Sequence, residues 1–108
     1  QVVAPLNQIG DKQGCTWKDG VVTTPDGFKE AYAQYVEGGW PTLSQSEEFG
    51  GQGLPHSLNI SIAELFSSAN HSFAMYPGLS HGALATIEAH GTEAQKQQLN
   101  CKLTALIH

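Results

Sequence analysis

Apolar side chains recur at helical spacing along most of this chain, and the interruptions mark its turns. Val2, Val3, Leu6 and Ile9 are spaced like the end of an amphipathic helix, with no capping residue ahead of them. Residues 10–24 are rich in turn formers. Within them Cys15-Thr16-Trp17-Lys18 and Val21-Val22-Thr23-Thr24 flank Asp19-Gly20. Asp-Gly between β-favouring residues predicts a short hairpin, because a type I′ turn needs positive φ at both centres. A helix is predicted over 25–37. Thr24 is placed to cap it, and Pro25 suits the first helical position, where a missing N–H costs nothing. Phe28, Tyr32, Tyr35 and Val36 form its apolar face, and Gly38-Gly39 stops it. Pro41 biases Trp40 away from helix. Residues 41–56 read as a connecting segment with a brief helical turn near Ser44–Glu48 and a glycine-rich loop after it. Leu58, Ile62, Leu65, Phe66, Ala69, Phe73 and Tyr76 carry the cleanest helical period and predict a helix over 56–76, broken by Pro77-Gly78. Another helix is predicted over 79–90, with Leu79, Ala83, Leu84 and Ile87 inward and Gly91 at its end. Thr92-Glu93-Ala94-Gln95 reads as a capping box that opens a last helix, with Leu99, Leu103 and Leu106 inward. The fold class is therefore mainly α, four to five helices with one short β-hairpin, in a single domain over 1–108.

Composition narrows the function classes. With 108 residues, the chain has room for one modest core, burying roughly 60–68% of its unfolded surface. A hydrophobic content of 40% argues against disorder. Five Lys and no Arg stand against ten acidic residues, for a net charge of −5. That balance argues against nucleic acid and against a basic membrane anchor. No apolar run approaches the ~20 residues of a membrane span, and a cytoplasmic setting is expected. Cys15 and Cys101 show neither C-x-x-C spacing nor a disulfide framework, so two free thiols are expected. Asn59-Ile60-Ser61 and Asn70-His71-Ser72 match glycosylation sequons and are read as chance.

Candidate chemistry is sparse. His56, His71, His81, His90 and His108 form no H-x-x-x-H or Cys/His zinc spacing, so no metal site is expected. Ser80-His81 lacks a nucleophile elbow, and adjacent helical residues do not face each other. Gly50-Gly51-Gln52-Gly53 could cradle phosphate through its amides, but it matches neither dinucleotide nor P-loop spacing and reads first as a chain reversal. Glu64, mid-helix, reads as solvated rather than as a buried acid or base. The run from Ala69 to Gly82 is the most suggestive. Phe73, Met75, Tyr76 and Leu79 sit beside Gly78 and Gly82, which suits either an apolar slot or a packed interhelical corner. Spacing alone favours the corner.

The runs Gly38-Gly39-Trp40-Pro41, Phe49-Gly50-Gly51-Gln52-Gly53-Leu54-Pro55, Pro77-Gly78-Leu79-Ser80-His81-Gly82-Ala83 and Ile87-Glu88-Ala89-His90-Gly91-Thr92-Glu93-Ala94-Gln95-Lys96 resemble the acyl-CoA dehydrogenase superfamily. They are most like its branch acting on short thioether acyl-CoAs, the 3-methylmercaptopropionyl-CoA dehydrogenase type. The resemblance covers about residues 1–98 and implies the N-terminal helical domain of a three-domain flavoenzyme. In that family FAD accepts hydride from the β-carbon of an acyl-CoA, and a glutamate of the C-terminal bundle takes the α-proton. The cofactor carries the redox chemistry while protein supplies orientation. By position, Met75, Tyr76, Gly78 and Leu79 match the stretch lining the acyl pocket, and the resemblance tips the balance from corner to slot.

The departures shape the expectation. The flavin-contacting strands and the catalytic glutamate of the family have no counterpart here, so no catalytic residue is expected and FAD belongs to the parent enzyme. Residues 99–108 diverge from the family pattern, and the front matches a family helix whose start is absent. The domain therefore reads as truncated at both ends. Lacking Arg, it has only Lys12, Lys18 and Lys29 as weak candidates for the CoA phosphates. Two readings follow: a pocket-walling domain of an acyl-CoA dehydrogenase, or a stand-alone binding or self-association module derived from it. Uncovered apolar surface would favour a homo-oligomer.

Overall fold

The computed structural model describes residues 1–100 and 102. Helix α1 (Val3–Gln13) buries Leu6 and ends at Gly14, whose positive φ of 61° suits a residue without a Cβ. It runs four residues past the predicted amphipathic stretch. Strands β1 (Thr16–Lys18) and β2 (Val21–Thr23) pair antiparallel, with Lys18 opposite Val21 and Trp17 opposite Val22. Asp19 and Gly20, at φ 51° and 79°, form the expected two-residue turn. The hairpin stands out from the body, and all six strand residues are exposed.

Helix α2 (Phe28–Glu37) starts three residues later than predicted. Neither Thr24 nor Pro25 caps it. The Asp26 amide donates to Gln13 Oε1 at 2.9 Å, and Asp26 Oδ2 accepts from Gln13 Nε2 at 3.0 Å, which fastens this segment to the end of α1. Gly27 then turns the chain at φ 81°, where an added Cβ would lie 2.8 Å from a Leu6 methyl. Two 3₁₀ turns follow, Trp40–Thr42 and Glu47–Phe49. Trp40 thus opens a tight turn rather than leaving helical geometry altogether. The second turn overlaps the one expected near Ser44–Glu48.

The long helix predicted over 56–76 is two helices, α3 (His56–Ala69) and α4 (His71–His90). The break falls at Asn70, and α4 continues through Pro77 and Gly78. Asn70 is extended (φ −163°, ψ 97°), and its Oδ1 accepts from Phe73 N–H at 3.0 Å. Its Nδ2 reaches the Val3 carbonyl at 3.4 Å, which ties the corner to α1. In this chain the start of α4 is set at Asn70, whose side chain satisfies a free helical N–H and is anchored to α1. Pro77 removes a single donor from α4.

The core gathers where α1, α2 and α4 meet. Leu6, Phe28, Ala31 and Phe73 are buried, with Val3, Ile9, Tyr32, Tyr35 and Phe66 packed around them. Phe73 is 0% exposed and lies among five aromatic rings at centroid distances of 6.0–6.4 Å. Burying a phenyl ring of this kind contributes about 1.5–3 kcal/mol. Of the inward set predicted for 79–90, Leu84 is buried, Ile87 is half-buried, and Ala83 and Leu79 are exposed. The capping box is present: Thr92 N–H donates to Gln95 Oε1 at 2.9 Å, and Gln95 N–H to Thr92 Oγ1 at 3.3 Å. It opens a single turn, α5 (Glu93–Gln95), continued by a wider π-type turn, Lys96–Asn100. Leu99 is exposed there. Leu103, Leu106 and Cys101 lie outside the described residues. Cys15 is an exposed free thiol.

Candidate functional site

Because α4 is continuous, residues 75–82 are two turns of helix rather than a helix-to-turn junction. Met75, Gly78, Leu79 and Gly82 fall at helical spacing and share one stripe. Met75 is 62% exposed and Leu79 84%. Added Cβ atoms on Gly78 and Gly82 would meet nothing within 4 Å. The stripe is thus apolar, open and cut low at two positions. Tyr76 turns toward the body, edge-on to Phe28 at 6.3 Å and Phe73 at 6.4 Å. Its phenol is held above the usual range first by burial and then by the neighbouring Cys15 thiol.

Beside the stripe lies a cavity of about 180 Å³ between α3 and α4. Ile62, Phe66, Phe73, Pro77, Gly78 and His81 are among its walls. Gly78 is the one sequence-predicted site residue that reaches it. A shallower groove of about 470 Å³ runs along α1, α2 and α3, floored by Ala31, Tyr35, Trp40 and Phe66.

The glycine loop is a chain reversal, and its amides are spent. Gly50 N–H donates to the Glu47 carbonyl, Gly51 to Ser46, Gln52 to Thr42, Gly53 to Gln45 and Leu54 to Leu43, all at 2.9–3.1 Å. An anion cradle needs free N–H groups, and none remains over 50–54. The two turns pack so tightly that a Cβ on Gly51 would lie 2.3 Å from the Gln45 carbonyl oxygen. Gln52 Nε2 closes the reversal on the Gly39 carbonyl at 2.7 Å.

The remaining candidates stay apart. Glu64 is exposed on α3, and Lys12, Lys18 and Lys29 are exposed on α1, β1 and α2. Among the described residues no three His, Cys, Asp or Glu side chains gather as a metal site. Asn70, in one sequon, is buried. No described helix is long and apolar enough to cross a membrane. One constellation was missed from sequence. His56 and His81 stack in parallel at 5.8 Å, and Gln45 Nε2 lies 3.1 Å from His81 Nδ1. Their sequence separation hides the pairing, and only the chain reversal brings Gln45 to α4.

Known proteins place this architecture. The family model described as acyl-CoA dehydrogenase, N-terminal domain, matches residues 17–105. The 3-methylmercaptopropionyl-CoA dehydrogenase of Ruegeria pomeroyi (strain ATCC 700808 / DSM 15171 / DSS-3) is 41% identical over 96 residues, covering 89% of this chain. The aligned stretch is 16% of that protein's length. A mainly helical body with one antiparallel hairpin and a sequence matched across most of its length show that the chain belongs to the acyl-CoA dehydrogenase family, through its N-terminal domain.

Proposed function

We propose that this chain is the N-terminal helical domain of an FAD-dependent enzyme that α,β-dehydrogenates an acyl-CoA thioester, and that Met75, Tyr76, Gly78 and Leu79 wall its acyl slot. The observation that carries this is the open apolar stripe on α4, in a chain 41% identical to an enzyme named for an acyl-CoA. Contiguous exposed apolar surface marks a site that something else covers. An acyl chain laid along it loses water contact, and the missing side chains of Gly78 and Gly82 leave it room. These residues bear no acid, base or nucleophile. Their work is to bind, orient and exclude water. FAD, when bound, accepts the hydride. The residues described here do not fit its diphosphate, since the loop amides are taken and the chain has no Arg. A cytoplasmic setting belongs to the same reading.

The test is complementation. The chain is mixed with the remaining domains of such an enzyme, and flavin bleaching by a short acyl-CoA is followed. Bleaching that requires this chain supports the reading. No bleaching with both pieces folded overturns it. Gly78→Leu should fill the slot and raise KM several-fold without lowering the unfolding temperature, since open space surrounds that position in a helix interior.

A second reading has its own observation. Trp17, Val21 and Val22 leave the hairpin as an exposed apolar flap, which suits a self-association or stand-alone binding module derived from the domain. Saturable acyl-CoA binding by the chain without FAD would favour that reading.

A further inference from the structure

Three side chains tie the glycine loop, the start of α3 and the middle of α4 together. Gln45 is buried, at 6% exposure, and its Nε2 lies 3.1 Å from His81 Nδ1. The ring of His56, the first residue of α3, runs parallel to that of His81, with centroids 5.8 Å and planes 4° apart. Gln45 is also part of the loop's frame: its carbonyl accepts from Gly53 N–H at 2.9 Å, and its backbone fills the space a Gly51 side chain would need. Gln45 thus joins the two: its backbone frames residues 50–54 and its side chain reaches His81.

An amide N–H aimed at Nδ1 needs a lone pair there, so this geometry belongs to neutral imidazole carrying its proton on Nε2. A second proton removes that lone pair and sets two donors against each other. It also places a cation against the face of His56, and protonating both rings would leave two parallel cations 5.8 Å apart. Among the described residues, no carboxylate contributes to the shift of His81. From the loop side, Glu47 lies against Gly53 and Glu48 accepts from Gln97 Nε2 at 3.4 Å. From α3, the facing titratable group is His56. Burial, and then His56, hold the proton affinity of His81 below its ordinary value.

We propose that Gln45, His56 and His81 form a proton-operated clasp, which fastens the glycine loop to α4 while His81 is neutral and releases it when His81 is protonated. Because His81 also lines the α3–α4 cavity beside Gly78, the same proton puts a positive charge on the cavity wall.

The test is a pH titration of the 108-residue chain by NMR, following the imidazole C–H signals and the amide protection of residues 50–54. His81 should titrate below the ordinary histidine midpoint. Protection of the Gly51, Gly53 and Leu54 amides, corrected for intrinsic exchange, should fall about tenfold over the same range, the weight of one buried hydrogen bond. His56→Gln should raise the His81 midpoint. Gln45→Glu supplies an acceptor for Nδ1–H, so it should move the midpoint above the ordinary value and abolish the acid loosening. Loop amides that stay protected through the His81 titration would show that the Gln45 amide merely turns over, and would overturn the clasp. An unchanged midpoint in Gln45→Glu would do the same. The wild-type titration stands whether or not either variant folds.

Discussion

At Gly51 a methyl group would meet the Gln45 backbone at 2.3–2.4 Å, and neither side of that contact is a flexible side chain. At Gly78 the same methyl group would meet open space in a helix interior. Identical substitutions should therefore act in opposite directions. Gly51→Ala should destabilise by about 1–3 kcal/mol through overpacking. Gly78→Ala should stabilise by about 0.5–1 kcal/mol through helix propensity. Urea unfolding of the two variants checks both signs. Tyr35 shows a second residue-level effect. Burial, with a smaller contribution from Tyr32, pushes its phenol up to about 12. The folded state thus resists losing a proton that the unfolded chain gives up near 10. Stability should hold below pH 10 and decline as pH rises from about 10 to about 12. Alkaline thermal scans of wild type and Tyr35→Phe should separate in that window, with the Phe variant declining less.

Helix boundaries show which signals act locally and which do not. The hairpin and the capping box were legible because each is closed by residues within four positions of one another. The corner at Asn70 was not. Phe66, Ala69 and Phe73 keep helical phase straight through it, and Asn70 earns its place partly from the Val3 carbonyl 67 residues away. Pro77, the stronger local stop signal, sits inside α4 without ending it. The start of α2 was misjudged for the same reason, since Gln13 holds Asp26 from outside the segment. As for the site, the residues of the α4 stripe were legible through resemblance, whereas their exposure and the His56–His81 stack depend on which face α3 covers. Two substitutions test the ranking of stop signals. Asn70→Ala should cost about 1–2 kcal/mol, since it strips a cap from a buried corner. Pro77→Ala returns a donor to the Phe73 carbonyl and should raise the unfolding temperature. An Asn70→Ala variant as stable as wild type would show that packing alone sets the corner.

The molecule as a whole is flatter and more exposed than its size requires. Its radius of gyration is 15.1 Å, against about 13 Å for a compact domain of this length. Its accessible surface is 7198 Å², against about 5,800 Å² for a monomer of its mass. Large apolar side chains are exposed on the hairpin and along α3 and α4. A body of this kind should seek cover. The purified chain is expected to run above 11.5 kDa by light scattering, increasingly so with concentration. Leu79→Lys should reduce that association with little effect on unfolding, because the side chain it replaces has few partners to lose. A monomer at all concentrations would mean that the apolar stripe is tolerated in water.

The Asn70–Val3 corner also sets a timetable for synthesis. Leu6, Phe28 and Ala31 close only around Phe73, so α1 and α2 leave the ribosome long before the residue that completes their core. At roughly 5–20 residues per second they wait several seconds for it. During that interval the aromatic faces of α2 are bare, and a nascent chain stalled ahead of residue 70 should be held by chaperones and cut by proteases. Release past α4 should end both liabilities in one step.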